Sequence, residues 1–141
     1  MSLVYWDSML FIYYFEGHPE YGPRVSHLLG RMEARGDTLC TSAFSAAEVL
    51  AGLYRGEAWD LSRRVEDFFH SADLRVLDFR LSTATRYARI RSQFRVSPAD
   101  AIHLASASEA GVDLFLTHDQ RLKGKLVTGI QFVADLNTDI L

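Results

Sequence analysis

One cysteine, Cys40, stands in 141 residues, so an intramolecular disulfide framework and a cysteine-based zinc module are both excluded. A reducing, cytoplasmic setting is the expectation. Prolines number three and the nine glycines are scattered, which excludes collagen-like and low-complexity chains. The apolar run Met9 to Phe15 falls far short of the roughly 20 residues a membrane span requires, so no membrane association is expected. No Lys or Arg precedes Arg24, and Asp7 interrupts the first apolar stretch, which speaks against a secretory signal. A large charge of one sign is missing too. Fifteen basic and 18 acidic residues give a net charge of -3, which argues against wholesale electrostatic adhesion to nucleic acid.

What is present is enough for a core. Hydrophobic residues make up 48% and charged residues 23% of the chain, and the length suits a single domain over residues 1–141. Thirteen of the fifteen basic residues are Arg, clustered at Arg86, Arg89, Arg91 and Arg95, with Arg121, Lys123 and Lys125 as a second group. Arg forks suit phosphate contacts; a solvated helix face explains the same runs.

Short apolar segments alternate with longer periodic ones. Strands are predicted over Leu3 to Trp6, Thr38 to Thr41, Leu74 to Phe79, Asp113 to Thr117 and Ile130 to Ala134. Helices are predicted over Ser8 to Glu16, Glu20 to Arg35, Ser42 or Ser45 to Tyr54, Ala58 to Ser71, Ser82 to Phe94, and from Ser97-Pro98 to Gly111. Ser followed by Pro is a strong helix start. Strands alternating with helices define an α/β fold, with a parallel sheet of about five strands covered by helices on both faces. Ligands in such sheets bind at the carboxyl ends of the strands, beside the topological switch point.

Four acids fall where that crevice would be. Asp7 follows strand one, in a position that a helix N-cap also explains. Glu48 lies on a helix stripe with Phe44, Ala51 and Gly52, where burial demands a partner unless the side chain reaches solvent. Asp100 is third in its helix, where the dipole favours an acid, and His103 one turn on reads as a core residue or as a support for a ligand. Asp119 follows strand four, in a place that turn formation also explains, and His118 beside it reads as an exposed turn residue. Cys40 reads as a small core residue. Carboxylates gathered at one edge repel and raise one another's pKa values; a hard cation such as Mg²⁺ or Mn²⁺ removes that conflict.

The segments Val4-Tyr5-Trp6-Asp7-Ser8, Ser45-Ala46-Ala47-Glu48-Val49, Ser97-Pro98-Ala99-Asp100-Ala101-Ile102-His103-Leu104-Ala105 and Leu116-Thr117-His118-Asp119 resemble, in order and spacing, those of PIN-domain ribonucleases. The likeness is greatest to the VapC-type toxins of toxin–antitoxin pairs. It implies a PIN-like fold and a Mg²⁺- or Mn²⁺-dependent endoribonuclease that hydrolyses phosphodiester bonds in RNA. Asp7 and Asp100 would bind the metal directly, Glu48 and Asp119 directly or through water, with Thr117 and Ser8 in support. The family commonly carries a further acid where this chain has Arg121; that departure implies either one metal instead of two, or a contact to the RNA backbone. The resemblance also implies a homodimer and a VapB-type antitoxin that covers the acidic groove. Tyr13, Tyr14, Phe15, Tyr54 and Trp59 are candidate interface aromatics, although core packing explains such spacings as well. Other readings are a housekeeping RNA-processing nuclease, or a PIN-fold module that binds RNA or a partner without catalysis. A haloacid-dehalogenase phosphatase is excluded by Met9, where its second Asp belongs, and a receiver domain by the missing acidic pair.

Overall fold

The computed structural model describes residues 1–137. Strand β1 (Leu3–Trp6) leads into α1 (Ser8–Glu16), α2 (Tyr21–Arg35), β2 (Thr38–Ser42), α3 (Ala43–Arg55), α4 (Trp59–Phe69) and β3 (Leu74–Leu77). The second half holds α5 (Leu81–Gln93), α6 (Pro98–Ala110), β4 (Leu114–Thr117) and β5 (Phe132–Asp135). All strand pairings are parallel and the sheet order is β3-β2-β1-β4-β5. The expected α/β architecture is therefore present.

The sheet is apolar on both faces because both are covered. Alternation along β1 sends Val4 and Trp6 into one core, with residues of α1 to α4, and Tyr5 into the other, with α5 and α6. Tyr5 stacks on Phe115 at 5.0 Å between ring centroids, and Cys40 lies fully buried in the same layer. The last of these fulfils the core reading of the cysteine.

Local chemistry sets the element ends. Ser42 resolves the choice of start for α3: its Oγ accepts from the Ser45 amide at 3.3 Å. Ser97 caps α6 in the same manner, accepting from the Asp100 amide at 3.1 Å, with Pro98 in the first turn. Gly17 closes α1 at φ 64°, a left-handed conformation that costs glycine least. The third and fifth strands differ most from expectation. The third strand stops at Leu77, before Phe79, and the fifth runs Phe132–Asp135, not from Ile130. Ile130 is held in a turn instead, its amide donating to the Val127 carbonyl at 3.0 Å.

From β1 the chain builds outward to β2 and β3, then returns across the sheet to add β4 on the other side of β1. The direction of winding thus reverses between β1 and β4. A crevice opens at such a reversal, above the carboxyl ends of both strands.

Candidate active site

Asp7 and Thr117 sit at that point, one just beyond β1 and the other ending β4. The Thr117 hydroxyl donates to Asp7 Oδ2 at 2.5 Å, and the Asp7 amide donates to the Leu116 carbonyl at 3.1 Å. Asp7 occupies the N-cap position of α1, yet its side chain makes no cap hydrogen bond. Its carboxylate is tied across to β4 through Thr117 instead. Asp7 is only 8% exposed, and Oδ1 is buried with no hydrogen-bond partner. Burial pushes its carboxyl above the usual range; the Thr117 hydroxyl, the charge of His103 and the amides of Leu10 and Met9 offset part of that rise.

Glu48 reaches the site from α3. Its Oε1 lies 2.7 Å from His103 Nε2 on α6. A carboxylate can only accept, so Nε2 carries the hydrogen and Nδ1 faces the Tyr5 hydroxyl, 2.7 Å away. The Tyr5 hydroxyl also lies 3.0 Å from Ser42 Oγ, and Ser45 and Thr41 continue this buried hydroxyl network. Burial raises the Glu48 carboxyl, but the His103 hydrogen bond and charge, with the Ser8 hydroxyl, outweigh it and leave the group below its ordinary value. Glu48 is thus held ionised and in one orientation. His103, 3% exposed, is a support for a candidate ligand, which was one of its two expected roles.

Asp100 lies one turn before His103 on α6, its amide capped by Ser97. Asp119 does form the turn expected of it: Oδ1 accepts from the Arg121 amide at 2.9 Å, and its own amide donates to Thr117 Oγ1 at 3.0 Å. Its carboxylate is taken up by the Arg121 guanidinium, through Nε to Oδ1 at 3.0 Å and Nη2 to Oδ2 at 2.8 Å. The hydrogen bond from Arg121 holds Asp119 below its usual value, and Asp100 also adds to the field on Arg121. Thr117 links Asp7 to the Asp119–Arg121 turn by hydrogen bonds, and His103 holds Glu48 separately. The four acids do not form a closed cage: among the described residues, no three of His, Cys, Asp and Glu converge to hold a metal ion as they stand.

Two expectations need correction. His118 is half-buried, not an exposed turn residue, with Nδ1 2.5 Å from the Tyr13 hydroxyl and its ring 4.2 Å from Tyr21. Tyr13 in turn is 8% exposed and belongs to the core, not to a surface. Tyr54 and Trp59 do lie exposed, packed on each other at 5.6 Å. One acid escaped the sequence reading. Asp135, 1% exposed, pairs in register with Thr117 at the carboxyl end of β5 and lies 3.7 Å from Lys123 Nζ. The signal, an acid at a strand's carboxyl end, is the same as for Asp7; the strand predicted to end at Ala134 extends one residue further, to Asp135. Burial pushes the Cys40 thiol up to about 12, which removes it as a nucleophile.

The comparisons with known proteins identify the class. The PIN domain matches residues 4–125, and the chain belongs to that family, whose members are nucleases. By fold the chain is similar to a protein in the crystal structure of VapBC2 from Rickettsia felis bound to a promoter DNA fragment (TM-score 0.75, 15% identity, 94% of this chain and 98% of that one). It is similar also to a chain of a toxin–antitoxin complex from Klebsiella pneumoniae (TM-score 0.68, 18% identity, 90% and 94% covered). A third is VapC20 of Mycobacterium tuberculosis, a toxin that cleaves the sarcin–ricin loop (TM-score 0.65, 14% identity, 79% and 86% covered). Among curated proteins, none matches this chain by sequence. No helix of the described residues is long and apolar enough to cross a membrane.

Proposed function

We propose that residues 1–141 form a single PIN domain that acts as a Mg²⁺- or Mn²⁺-dependent endoribonuclease, the toxin of a VapBC-type pair working in the cytoplasm. The observation that carries this reading is Asp7 Oδ1: a buried carboxylate oxygen without a partner, at the switch point of the sheet. An uncompensated buried charge costs several kcal/mol, roughly 3–5 when a partner is removed. A hard divalent cation is the natural compensation, and every donor nearby is a hard oxygen.

Asp7 and Asp100 would hold the ion directly. Glu48 offers the carboxylate oxygen not turned to His103, and Asp119 is the fourth donor. Thr117 and Ser8 support them, Thr117 by fixing Asp7 and Ser8 by favouring ionised Glu48. When bound, such an ion makes water more acidic and offsets charge developing at phosphorus. The chain's own part is positional. His103, backed by Tyr5 and Ser42, keeps Glu48 in place; Thr117 couples Asp7 to the Asp119 turn. Water adds at phosphorus and the ribose oxygen leaves with a proton.

The fold neighbours from toxin–antitoxin complexes support a VapB-type antitoxin as partner. A guanidinium from such a partner suits carboxylates that otherwise need a cation. A homodimer is part of the same reading, and the exposed Tyr54–Trp59 pair offers apolar surface for either interface. The test is incubation of the purified protein with total RNA, with and without EDTA, and mapping of the cut ends. Cleavage that EDTA abolishes and Mn²⁺ restores is the expected result; cleavage indifferent to EDTA would refute it.

A further inference from the structure

We propose that Arg121 is a built-in counter-ion that occupies Asp119 and restrains cation loading from within the chain; this rests on the metal-dependent reading above. The geometry is specific. Three hydrogen bonds from one residue cover both oxygens of Asp119, at 2.9, 3.0 and 2.8 Å. A fork-to-carboxylate pair of this kind is the strongest arrangement the two side chains can make. The acid is the inner member, with a side chain 23% exposed, and the guanidinium the outer one at 83%. Arg121 therefore lies over Asp119 on its solvent side, and the field of Asp100 favours it there as well.

The backbone that carries this arrangement is anchored. Leu122, next in the chain, is 2% exposed in the core, and its amide donates to the Asp119 carbonyl at 3.0 Å. Lys123 lies 3.7 Å from Asp135, which ties the same turn to β5. The Arg121 side chain is exposed on this anchored backbone, so the carboxylate can be released by a rotamer change with no refolding. An ion pair exposed to water is weak, so a divalent ion, or a phosphate that draws the guanidinium away, can displace it.

Mn²⁺ titration of the purified full chain, followed by the paramagnetic resonance of free Mn²⁺, tests this without reference to activity. Arg121→Gln is expected to bind Mn²⁺ about threefold to tenfold more tightly than wild type, with an unchanged melting temperature. Arg121→Lys, which keeps charge but loses the fork, should fall between them. The double variant Arg121→Gln/Asp119→Asn should lose the gain, because the gain runs through Asp119. Equal or weaker binding by Arg121→Gln, beside a wild type that binds, would overturn the counter-ion role alone. Equal gains with and without Asp119→Asn would overturn it also, by showing a general charge effect. If neither wild type nor Arg121→Gln binds Mn²⁺, the metal reading falls and this proposal with it.

Discussion

The Thr117 hydroxyl gives its one hydrogen to Asp7 Oδ2 and accepts the amide hydrogen of Asp119, so a single side chain joins two acids from different strand ends. Thr117→Val keeps shape and removes both bonds. It is expected to cut RNA cleavage at least tenfold and to destabilise the fold by about 1–3 kcal/mol, the cost of leaving buried polar groups unpaired. Thr117→Ser should restore most of both. Cleavage assays and thermal melts on the three proteins check this.

Asp7→Asn is expected to abolish cleavage while making the protein more stable. Burial raises the Asp7 carboxyl, so the folded state holds its proton more tightly than the unfolded chain, where an aspartate titrates near about 3.9. Stability from this group is complete below that value and is lost as pH rises through the elevated folded range. The gain from Asp7→Asn should therefore be near zero at acid pH and grow to a rise of about a few degrees in Tm at neutral pH. Melting curves of both proteins across pH measure it; a destabilised variant at pH 7 would contradict the account.

His103→Gln removes the imidazole that holds Glu48 while leaving an amide able to donate. A loss of about 10- to 100-fold in cleavage and in Mn²⁺ affinity is expected for His103→Ala, the usual effect of losing a group that orients a ligand. His103→Gln should recover part of it. Tyr5→Phe, one step further from the acid, should cost less. Unchanged Mn²⁺ affinity in His103→Ala would show that Glu48 needs no such support.

Asp100→Asn leaves the Ser97 cap intact, since the cap uses the Asp100 amide and not its carboxylate. The fold should persist, with circular dichroism unchanged, and EDTA-sensitive cleavage should vanish. Full activity in this variant would remove Asp100 from the reaction.

Much of this was legible in the chain. Residues 3–6 announce a strand by composition, and Ser97-Pro98 marks a helix start to the residue, because caps and short apolar runs are local physics. The sequence places Asp7 and Asp119 just past strands one and four, and the structure pairs those strands. Side-chain pairing was not legible. Nothing in the spacing of Asp119 and Arg121 says that the guanidinium folds back two residues, since many rotamers compete and the winner depends on surrounding fields. Tyr13 and His118 were hidden for another reason: they are 105 residues apart, and each looked polar enough for solvent until the other supplied its hydrogen bond. Asp135 was missed through a strand drawn one residue short of it.

β1 makes hydrogen bonds with β2 on one side and with β4 on the other, and 110 residues separate Asp7 from Thr117. During synthesis the amino-terminal strand leaves the ribosome long before its second neighbour exists. Contacts so distant in sequence form late. A nascent chain therefore carries Asp7 for some 110 residues of synthesis without the strand that completes its surroundings.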